Sequence, residues 1–320
     1  MPSLLEIRTL LAVASAGSLS RAAREMEVSV AMVSKRMDAL ESRLGVRLLI
    51  RTPRCTGLTL EGERYVLDCR RILDDLQEAD SAVSQCTTEL AGLVRVSAGP
   101  GFGRRILTPL LVEFGNIHPR VHVQLCLSDA LVDLGSGRHD LAIRVGPLQD
   151  SGLISLPLVR NRRLVVGAPA YLASHGRPQT PRELLAHNCI VLRGSSEALL
   201  EWRFVGSEGT IDVPIRGRLS VDNGDMQHEL ALAGAGLTLK SVWDVADDLA
   251  HGRLEALLPD YPCPSSDIQI VYLDRHFQPA RVRALAAFLR DRLVTRESEV
   301  LALLPPGLAS QSRESHSDNA

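Results

Sequence analysis

The stretch from Leu10 to Arg54 decides the fold of the N-terminal region, and it reads LLAVASAGSLSRAAREMEVSVAMVSKRMDALESRLGVRLLIRTPR. Its apolar residues recur at helical spacing up to Gly17, which predicts a first helix that ends at this glycine. Ser18 predicts the start of a second, short helix and Ser29 the start of a third, because serine at an N-cap accepts a hydrogen bond from a free backbone N–H. A turn of only three residues joins the second helix to the third.

The third helix, predicted to reach about Leu44, has two different faces. Its apolar stripe predicts packing against the other helices and consists of Val33, Met37, Leu40 and Leu44. The opposite face carries Val30, Ala31, Ser34, Lys35 and Asp38. A polar, basic helix that follows another helix after a tight turn is typical of helix-turn-helix DNA binding, in which the second helix enters the major groove. A plain three-helix bundle has the same periodicity and is the alternative.

The segment after the third helix is apolar first and then basic. It runs from Val46 to Arg54 and ends in turn-forming residues, which predicts a small hairpin, or wing, beside the DNA backbone. Arg51 and Arg54 are the candidate phosphate contacts, since such contacts position a protein on DNA without reading its sequence. A solvated surface hairpin is the alternative.

Charge is distributed unevenly along the chain. The first 60 residues carry nine basic and five acidic side chains, whereas the remaining 260 carry 27 basic and 33 acidic ones. A basic module on an acidic body predicts a polyanionic partner for that module alone. Aromatic residues make up only 3% of the chain, which argues against a surface for single-stranded nucleic acid, because such surfaces stack bases on aromatic rings.

Several classes of protein lack support in the sequence. No apolar run approaches the roughly 18 residues that a membrane-spanning helix needs, and no signal-peptide pattern opens the chain, so the expected location is cytoplasmic. The six cysteines include no C-x-x-C pair, which argues against a zinc ribbon or a thioredoxin-like motif. His228-Glu229 is followed by Leu232 where the H-E-x-x-H zinc motif has histidine. We therefore expect no catalytic residues, no metal and no cofactor.

A long helix is predicted after the wing, with Thr59 as its N-cap. Apolar residues then alternate at spacings of four and three, which is the a/d pattern of a coiled coil. They are Tyr65, Cys69, Ile72, Leu76, Ala79, Val83, Cys86 and Leu90. A second copy of the same helix is the simplest partner for this seam, and packing onto the chain's own C-terminal region is the alternative.

Beyond Leu90, strand patterns alternate with helix patterns, which predicts α/β architecture in two lobes. The predicted strands are Leu93–Ser97, Val121–Leu127, Leu141–Val145, Leu164–Ala168, Cys189–Leu192, Arg218–Val221, Leu237–Leu239 and Ile268–Leu273. The predicted helices are Arg104–Phe114, Ala130–Gly135, Pro181–His187, Met226–Ala233, Val242–Ala250 and Pro279–Val294. In open sheets of this kind, ligands bind beyond the carboxyl ends of the strands, near helix N-termini.

Four polar residues at or just after the ends of predicted strands are the candidate ligand-binding residues: Ser97, Ser128, Arg144 and Asn223. The guanidinium of Arg144 suits bidentate binding of a carboxylate, which favours a small organic anion as the ligand. A structural ion pair of Arg144 with Asp129 or Asp140 is the alternative. The glycine-rich loop 99–103 precedes a helix and also favours an anion, unless it is only a tight turn.

The N-terminal pattern resembles the winged helix-turn-helix of LysR-type transcriptional regulators. The resemblance rests on the alanine pair at 22–23, the serine in the recognition helix, ALESRLG at 39–45 and LTLEG at 58–62, which lie at the family's spacing. Ser34 and Lys35 match DNA-contacting positions of the family. The resemblance implies that Ser18 also belongs to the DNA-binding surface. Val30-Ala31 replaces the Gln-Pro pair of many members, so apolar contact with a thymine methyl would replace an amide contact.

The resemblance implies an α+β multidomain fold. Residues 1–58 would form the winged helix-turn-helix domain, 59–90 a linker helix, and 91–295 a two-lobed α/β effector domain like a periplasmic binding protein. The first lobe would comprise 91–162 and 267–295, and the second 163–266. "DLAIRVG", "APAYLASHGRP" and "HGRLEALLP" are similar to one branch of the family, although Lys240-Ser241 stands where that branch often has Leu-Pro. Residues 296–320 are polar and aperiodic, which predicts a disordered tail.

The implied function is control of a promoter by a small, anionic effector. The implied partners are double-stranded promoter DNA, the effector, RNA polymerase and a second copy of the chain, in a homodimer or homotetramer with antiparallel linker helices. In that arrangement Cys69 of one copy would face Cys86 of the other, or both would remain reduced seam residues. The alternative function is a small-molecule binding protein or an enzyme whose N-terminal helices only drive oligomerisation.

Overall fold

The computed structural model describes residues 2–51, 56–83, 90–130, 132–134, 138–146, 153–193, 201–207, 209–273 and 278–304. The chain divides into two compact units, one comprising Met1–Thr88 with Gly135–Arg138 and the other Glu89–Leu134 with His139–Ala320. The predicted tail lies outside the described residues from 305 onward. Among the described residues, none of the helices has both the length and the apolar character needed to cross a bilayer.

The N-terminal unit consists of three helices, a two-stranded wing and a long helix. They are α1 (Leu4–Ala16), α2 (Leu19–Glu25), α3 (Val30–Leu44), β1 (Leu49–Arg51), β2 (Thr56–Leu58) and α4 (Leu60–Val83). Local sequence explains the ends of these helices. The Ser29 hydroxyl accepts a hydrogen bond from the Met32 N–H, and Gly17 and Gly45 end α1 and α3 in the left-handed conformation.

The core of this unit confirms the predicted inward stripe of α3. Val33, Met37 and Leu40 are almost completely buried, together with Leu10 of α1 and the alanine pair of α2. The two small alanines let α2 approach its neighbours closely. The remaining face of α3 is therefore turned away from the core.

The start of α4 is fixed by two residues of the LTLEG segment. The Thr59 hydroxyl donates a hydrogen bond to the Arg47 carbonyl and accepts one from the Gly62 N–H, which confirms Thr59 as the N-cap. Gly62 lies against the backbone of Leu48, where a Cβ would stand 2.1 Å from the carbonyl oxygen. Only glycine allows this approach, so Gly62 is the residue through which α4 packs against the segment that leads into the wing.

The predicted seam of α4 is only partly available to a second copy. Cys69 has no exposed surface, and Tyr65 packs against the core of its own unit. Ile72 and Leu76 are 48% and 39% exposed. The first turns of α4 therefore pack on the core of their own N-terminal unit, which is neither a second copy of the helix nor the C-terminal region named as the alternative. Cys86 lies outside the described residues, so its predicted approach to Cys69 stays a prediction.

The C-terminal unit contains a five-stranded sheet that we call, with its helices, the first lobe. Its strands are β3 (Gly92–Ala98), β4 (Val121–Leu127), β5 (Leu141–Val145), β6 (Leu153–Val159) and β14 (Ile268–Leu273), in the order β4-β3-β5-β14-β6. The pairs β3–β4 and β3–β5 are parallel, and β14 is antiparallel to β5 and β6. Its helices are α5 (Pro100–Phe102), a π-helical turn (Gly103–Leu107), α6 (Thr108–Ile117) and α10 (Ala280–Ala302).

The chain segment between β6 and β14 forms what we call the second lobe. Its strands are β7 (Arg163–Gly167), β8 (Val191–Leu192), β9 (Glu201–Gly206), β10 (Gly209–Pro214), β11 (Ser220–Val221), β12 (Thr238–Ser241) and β13 (Glu255–Leu257). They form a β12-β7-β13 sheet, a parallel β8–β11 pair and a β9–β10 hairpin. Its helices are α7 (Pro169–His175), a 3-10 helix (Pro181–Ala186), α8 (Gly224–Leu232) and α9 (Val242–Ala250).

Four strands were not predicted, and the reasons are physical. The edge strand β6 contains Pro157, which lacks the N–H that an inner strand needs. In β9 the burial alternates residue by residue around Trp202 and Phe204, so it contains no apolar run. The very short β13 and the partly polar β10 likewise carry too few apolar residues in sequence to predict a strand.

Three predicted helices differ from the structure. The described residues of 130–134 form no α-helix, and Ala130 lies in a bend where its N–H donates to the Ser128 hydroxyl. The predicted helix Arg104–Phe114 begins as a π-helical turn, Gly103–Leu107, because Pro109 cannot supply a backbone N–H. The last helix continues to Ala302, and Val300 and Leu304 are buried, so residues 296–304 do not belong to a disordered tail.

Candidate nucleic-acid interface and ligand cleft

The outward face of α3 carries the residues that were predicted to contact DNA. Val30 is 44% exposed, and Ala31 and Lys35 are exposed as well. The Ser34 hydroxyl lies 3.4 Å from the Asp38 carboxylate one turn later. Among the described residues, the Lys35 ammonium has no hydrogen-bond or ion-pair partner. The N-terminal half of α3 therefore presents a cation, a hydroxyl and two small apolar side chains to solvent.

The other predicted DNA contacts lie beside α3 or outside the described residues. Ser18 is the N-cap of α2 with an extended backbone, and its side chain makes no capping hydrogen bond. Arg51 is the last residue of β1, but its side chain is outside the described part of the chain. Arg54 lies wholly outside it, so the phosphate contacts of the wing stay a prediction.

A buried carboxylate that the sequence reasoning missed holds the wing in place. Glu41, in the ALESRLG segment, is 6% exposed, and its carboxylate accepts hydrogen bonds from the Leu48 and Leu49 N–H groups at 2.7 and 2.9 Å. These bonds join the last turn of α3 to β1. The signal in the sequence was a glutamate on the otherwise apolar face of a helix, four residues before the glycine that ends it.

A second carboxylate fixes α1 against α3. Glu6 accepts two hydrogen bonds from the Arg43 guanidinium, at 2.9 and 3.0 Å, and also completes a capping box with Ser3. The hydrogen bond from the Ser3 N–H, helped by the charge of Arg43, holds the pKa of the Glu6 carboxyl below its usual range. These bonds join α1 to α3 without using any residue of the outward face of α3.

In the C-terminal unit, three of the four predicted ligand residues lie together at the edge of the five-stranded sheet. Ser97 near the end of β3 is fully buried, and its hydroxyl accepts a hydrogen bond at 2.9 Å from the guanidinium of Arg144 in β5. The same guanidinium donates to the Ala130 carbonyl at 3.2 Å, and the Ser128 hydroxyl accepts from the Ala130 N–H. Burial lowers the pKa of Arg144, and the charge of Asp129 opposes this shift.

The fourth residue, Asn223, caps α8. Its side-chain oxygen accepts hydrogen bonds from the Asp225 and Met226 N–H groups at 2.9 and 3.0 Å. The next residue, Gly224, donates its N–H to the Asp129 carboxylate at 2.6 Å. Asp129 lies between Ser128 and Ala130 in the chain, so it connects Asn223 in the second lobe with the other three residues in the first. We call this region the cleft.

Asp129 and Asp140 were the alternative partners of Arg144 in a structural ion pair. Asp140 accepts a hydrogen bond from the Arg95 N–H at 2.7 Å and forms an ion pair with the Arg95 side chain, so it serves a different arginine. Asp129 influences Arg144 through its charge, and its hydrogen bond is to Gly224. Arg144 is anchored instead by the Ser97 hydroxyl and by the carbonyls of Ala130 and Ile143, and the N–H donors left over are the ones that a ligand would use.

Ion pairs between the lobes were missed by the sequence reasoning. Arg104 and Arg105, on the π-helical turn of the first lobe, both bind the Asp225 carboxylate in α8, at 3.1 and 2.5 Å. Arg104 also contacts Glu229 one turn later. A π-helical turn changes the direction of side chains within a helix, and here it brings two arginines to the start of α8.

Lys240, the departure from the usual Leu-Pro, proves to be part of β12. Its side chain is 6% exposed, and the ammonium donates to the Gly224 carbonyl at 2.7 Å and pairs with Asp244 at 3.1 Å.

The glycine-rich loop has carboxylates beside it. A Cβ on Gly99 would lie 3.2 Å from Asp129, and one on Gly101 would lie 3.0 Å from Asp244. Two carboxylates of the chain therefore lie beside the loop that was expected to favour an anion.

Histidine and cysteine side chains do not combine into another site in the described part of the chain. No group of three metal-binding side chains exists there. His228 is buried in α8, where its Nε2 lies 2.8 Å from Asp248. Its Nδ1 has no hydrogen-bond partner among the described residues, which fits a neutral ring that donates once. Burial, strengthened by the positive charge of Arg105, lowers its pKa.

Comparison with known proteins matches two family models to separate parts of the chain. A family model described as "Bacterial regulatory helix-turn-helix protein, lysR family" matches residues 4–63, and one described as "LysR substrate binding domain" matches residues 87–294. The HTH-type transcriptional regulator DmlR of Escherichia coli (strain K12) is 34% identical, over 91% of this chain and 94% of that protein.

Two solved full-length structures resemble the chain. The Vibrio cholerae virulence activator AphB, described as a member of the LTTR protein family, is 29% identical, with a TM-score of 0.56 over 90% of this chain and 98% of that one. CrgA, a LysR-type transcriptional regulator from Neisseria meningitidis, is also 29% identical, with a TM-score of 0.56 over 92% and 98%.

Proposed function

The chain belongs to the LysR family of bacterial transcriptional regulators, and on this premise we propose that the outward face of α3 reads a promoter site. The family's two domains are both present, so the alternative in which the N-terminal helices only drive oligomerisation is set aside. Relatives of this family are regulators and not enzymes, and we infer the same for this chain. Promoter binding would place it in the cytoplasm.

The DNA proposal rests on the observation that the two faces of α3 have different roles. The inward face is buried, and the helix ends are fixed by Ser29, Gly45 and Glu41. Ser34 and Lys35 would contact base edges, and Val30 and Ala31 would contact thymine methyls. Ser18, Arg51 and Arg54 would bind phosphates and position the helix in the groove.

The test uses the intergenic DNA upstream of the chain's own gene in a gel-shift assay. Lys35→Ala should weaken specific binding by about 1–3 kcal/mol, the usual worth of a good base contact. Arg216→Ala is the matched control, because it removes an exposed arginine from the C-terminal unit and should leave affinity unchanged. Unchanged operator affinity in Lys35→Ala would show that α3 is not the reading helix.

We also infer that the cleft binds the effector and that the effector is a small organic acid. The supporting observation is that Arg144 is half-buried, with N–H donors left over from its bonds to Ser97, Ala130 and Ile143. A guanidinium in such surroundings matches a carboxylate in shape and charge. In a thermal-shift screen, organic acids should stabilise the protein, and stabilisation by neutral or cationic compounds alone would contradict the proposal.

Family members form oligomers, and we propose a homodimer or homotetramer that uses the exposed part of the α4 seam. The exposed seam residues are Ile72 and Leu76, and among the other large apolar side chains exposed in the N-terminal unit are Leu4, Leu5 and Leu60. The exposure of several large apolar side chains in one unit favours an interface there. RNA polymerase would be a partner if the regulator activates transcription.

A further inference from the structure

The start of α8 is held from the first lobe by two contacts of opposite charge. Arg104 and Arg105 bind the Asp225 carboxylate, and the Asp129 carboxylate binds the Gly224 N–H. The residues in each pair lie far apart in sequence, 95 positions in the case of Asp129 and Gly224. Both contacts therefore exist only while the two lobes are close together.

The hydrogen bond to Asp129 completes the N-terminus of α8. Asn223 accepts the N–H groups of Asp225 and Met226, which leaves the Gly224 N–H without a partner inside the helix. Asp129 supplies that partner at 2.6 Å. A carboxylate is also the group that the positive end of a helix dipole favours.

The place that Asp129 occupies is also lined by cations. The position that a Cβ on Gly224 would take is 3.4 Å from the Asp129 carboxylate and 3.5 Å from the Lys240 ammonium, which is itself buried. Arg144 attracts the same carboxylate through its charge. Any acid that entered the cleft would meet an N–H, an ammonium and a guanidinium, and would find a carboxylate of the chain already there.

The two interlobe contacts differ in strength. Asp225 is bound by two guanidinium groups and is 22% exposed in its side chain. Asp129 is an exposed residue with one hydrogen bond to α8, and within the described residues it has no ion pair at contact distance. The Asp129 contact is thus the one that a competing acid can replace, while the arginine contact keeps the lobes together.

We propose that Asp129 is an internal occupant of the effector cleft, an autoinhibitory contact that an acidic effector must displace. This rests on the proposed function of the cleft as the effector site. Displacement exchanges one carboxylate for another as the acceptor of the Gly224 N–H. The charge at the start of α8 therefore stays the same, and no side chain there has to gain or lose a proton. It also frees the loop after β4 from the second lobe, which links ligand binding to the relative position of the lobes.

The test is chemical rescue of Asp129→Ala by acetate in the full-length protein. Loss of the carboxylate should raise hydrogen exchange about tenfold at residues 224–227, because the first turn of α8 loses a partner. Sodium acetate should restore protection there, whereas sodium chloride at the same ionic strength should not. Wild-type protein should show little response to acetate, since its own carboxylate holds the position.

Asp212→Ala is the matched control, because Asp212 is an exposed carboxylate whose partner is the Arg203 side chain in the β9–β10 hairpin. It should leave exchange in α8 unchanged with either salt. Unchanged exchange at 224–227 in Asp129→Ala, or equal protection of wild type and variant by acetate, would overturn the proposal. Neither outcome would change the thermal-shift response of the wild-type protein to organic acids, so this proposal and the effector function of the cleft fail separately.

Discussion

The outward face of α3 and the cleft use polar side chains in opposite ways. On α3 the scaffold is built by Glu41, Ser29 and the apolar stripe, and the surface residue Lys35 takes no part in it. In the cleft, Arg144, Ser97 and Asn223 are themselves bonded to the scaffold. A surface for DNA can be separate from its support because phosphates and bases come to it from outside. A cleft closes around its ligand, so the same side chains must support the walls.

Disturbing the support of the DNA surface should have a larger effect than changing the surface itself. Gly62→Ala should destabilise the N-terminal unit by about 3 kcal/mol, at the upper end for overpacking, since its Cβ would collide with the Leu48 carbonyl. Denaturant unfolding should show an earlier N-terminal transition and loss of DNA binding. Gly57→Ala is the control, because a Cβ there would lie 4.0 Å from Ile50; equal stability of the two variants would contradict the prediction.

In the cleft we expect one side chain to serve both ligand binding and stability. Arg144→Ala should remove the response to organic acids and also cost about 2 kcal/mol of stability, because the buried Ser97 hydroxyl loses its partner. Thermal unfolding with and without acid, followed by a gel shift, measures both effects and shows whether DNA binding persists. Lys35→Ala should change DNA affinity alone. If the Arg144→Ala protein kept wild-type stability, Arg144 would not support the fold of the cleft. The cleft would then resemble α3, where the residue that contacts the partner takes no part in the scaffold.

The smallest expected effect concerns pH and is confined to the C-terminal unit. The pKa of His228 is lowered by burial, so the folded protein binds this proton less readily than the unfolded chain. The free energy of unfolding should therefore fall as the pH drops through about 6.5, the ordinary pKa of histidine. His228→Gln should flatten that slope in urea titrations at several pH values. His187, whose pKa burial also lowers, should supply the slope that remains.

A His228→Gln protein that keeps the full slope would assign the pH dependence to other groups. The Nδ1 atom gives the physical reason for the expectation. Protonation would place an N–H there without a partner among the described residues, inside a helix that also faces Arg105. The N-terminal unit differs, because there the group with a lowered pKa is the Glu6 carboxyl. Its contribution to the free energy of unfolding should be lost only at more acidic pH.

Much of the N-terminal unit was predictable because its signals are local. Ser29, Gly17, Gly45 and Thr59 mark helix ends where the structure has them. Caps and apolar periodicity act within a few residues, so a single sequence contains all the partners. The seam of α4 was harder, because the same spacing suits a second copy and the unit's own core, and only burial of Cys69 distinguishes them.

Apolar periodicity along the chain predicted the inward stripe of α3, its outward polar face and the strands with continuous apolar runs. No such pattern predicts that Glu41 binds the wing, that Lys240 is buried in β12, or that Asp129 reaches Gly224, and these contacts appear only in the folded chain. The physical reason is distance along the chain. A cap is chosen by neighbours three residues away, whereas the Arg104–Asp225 and Asp129–Gly224 bonds join residues 121 and 95 positions apart, and exist only once two lobes have packed.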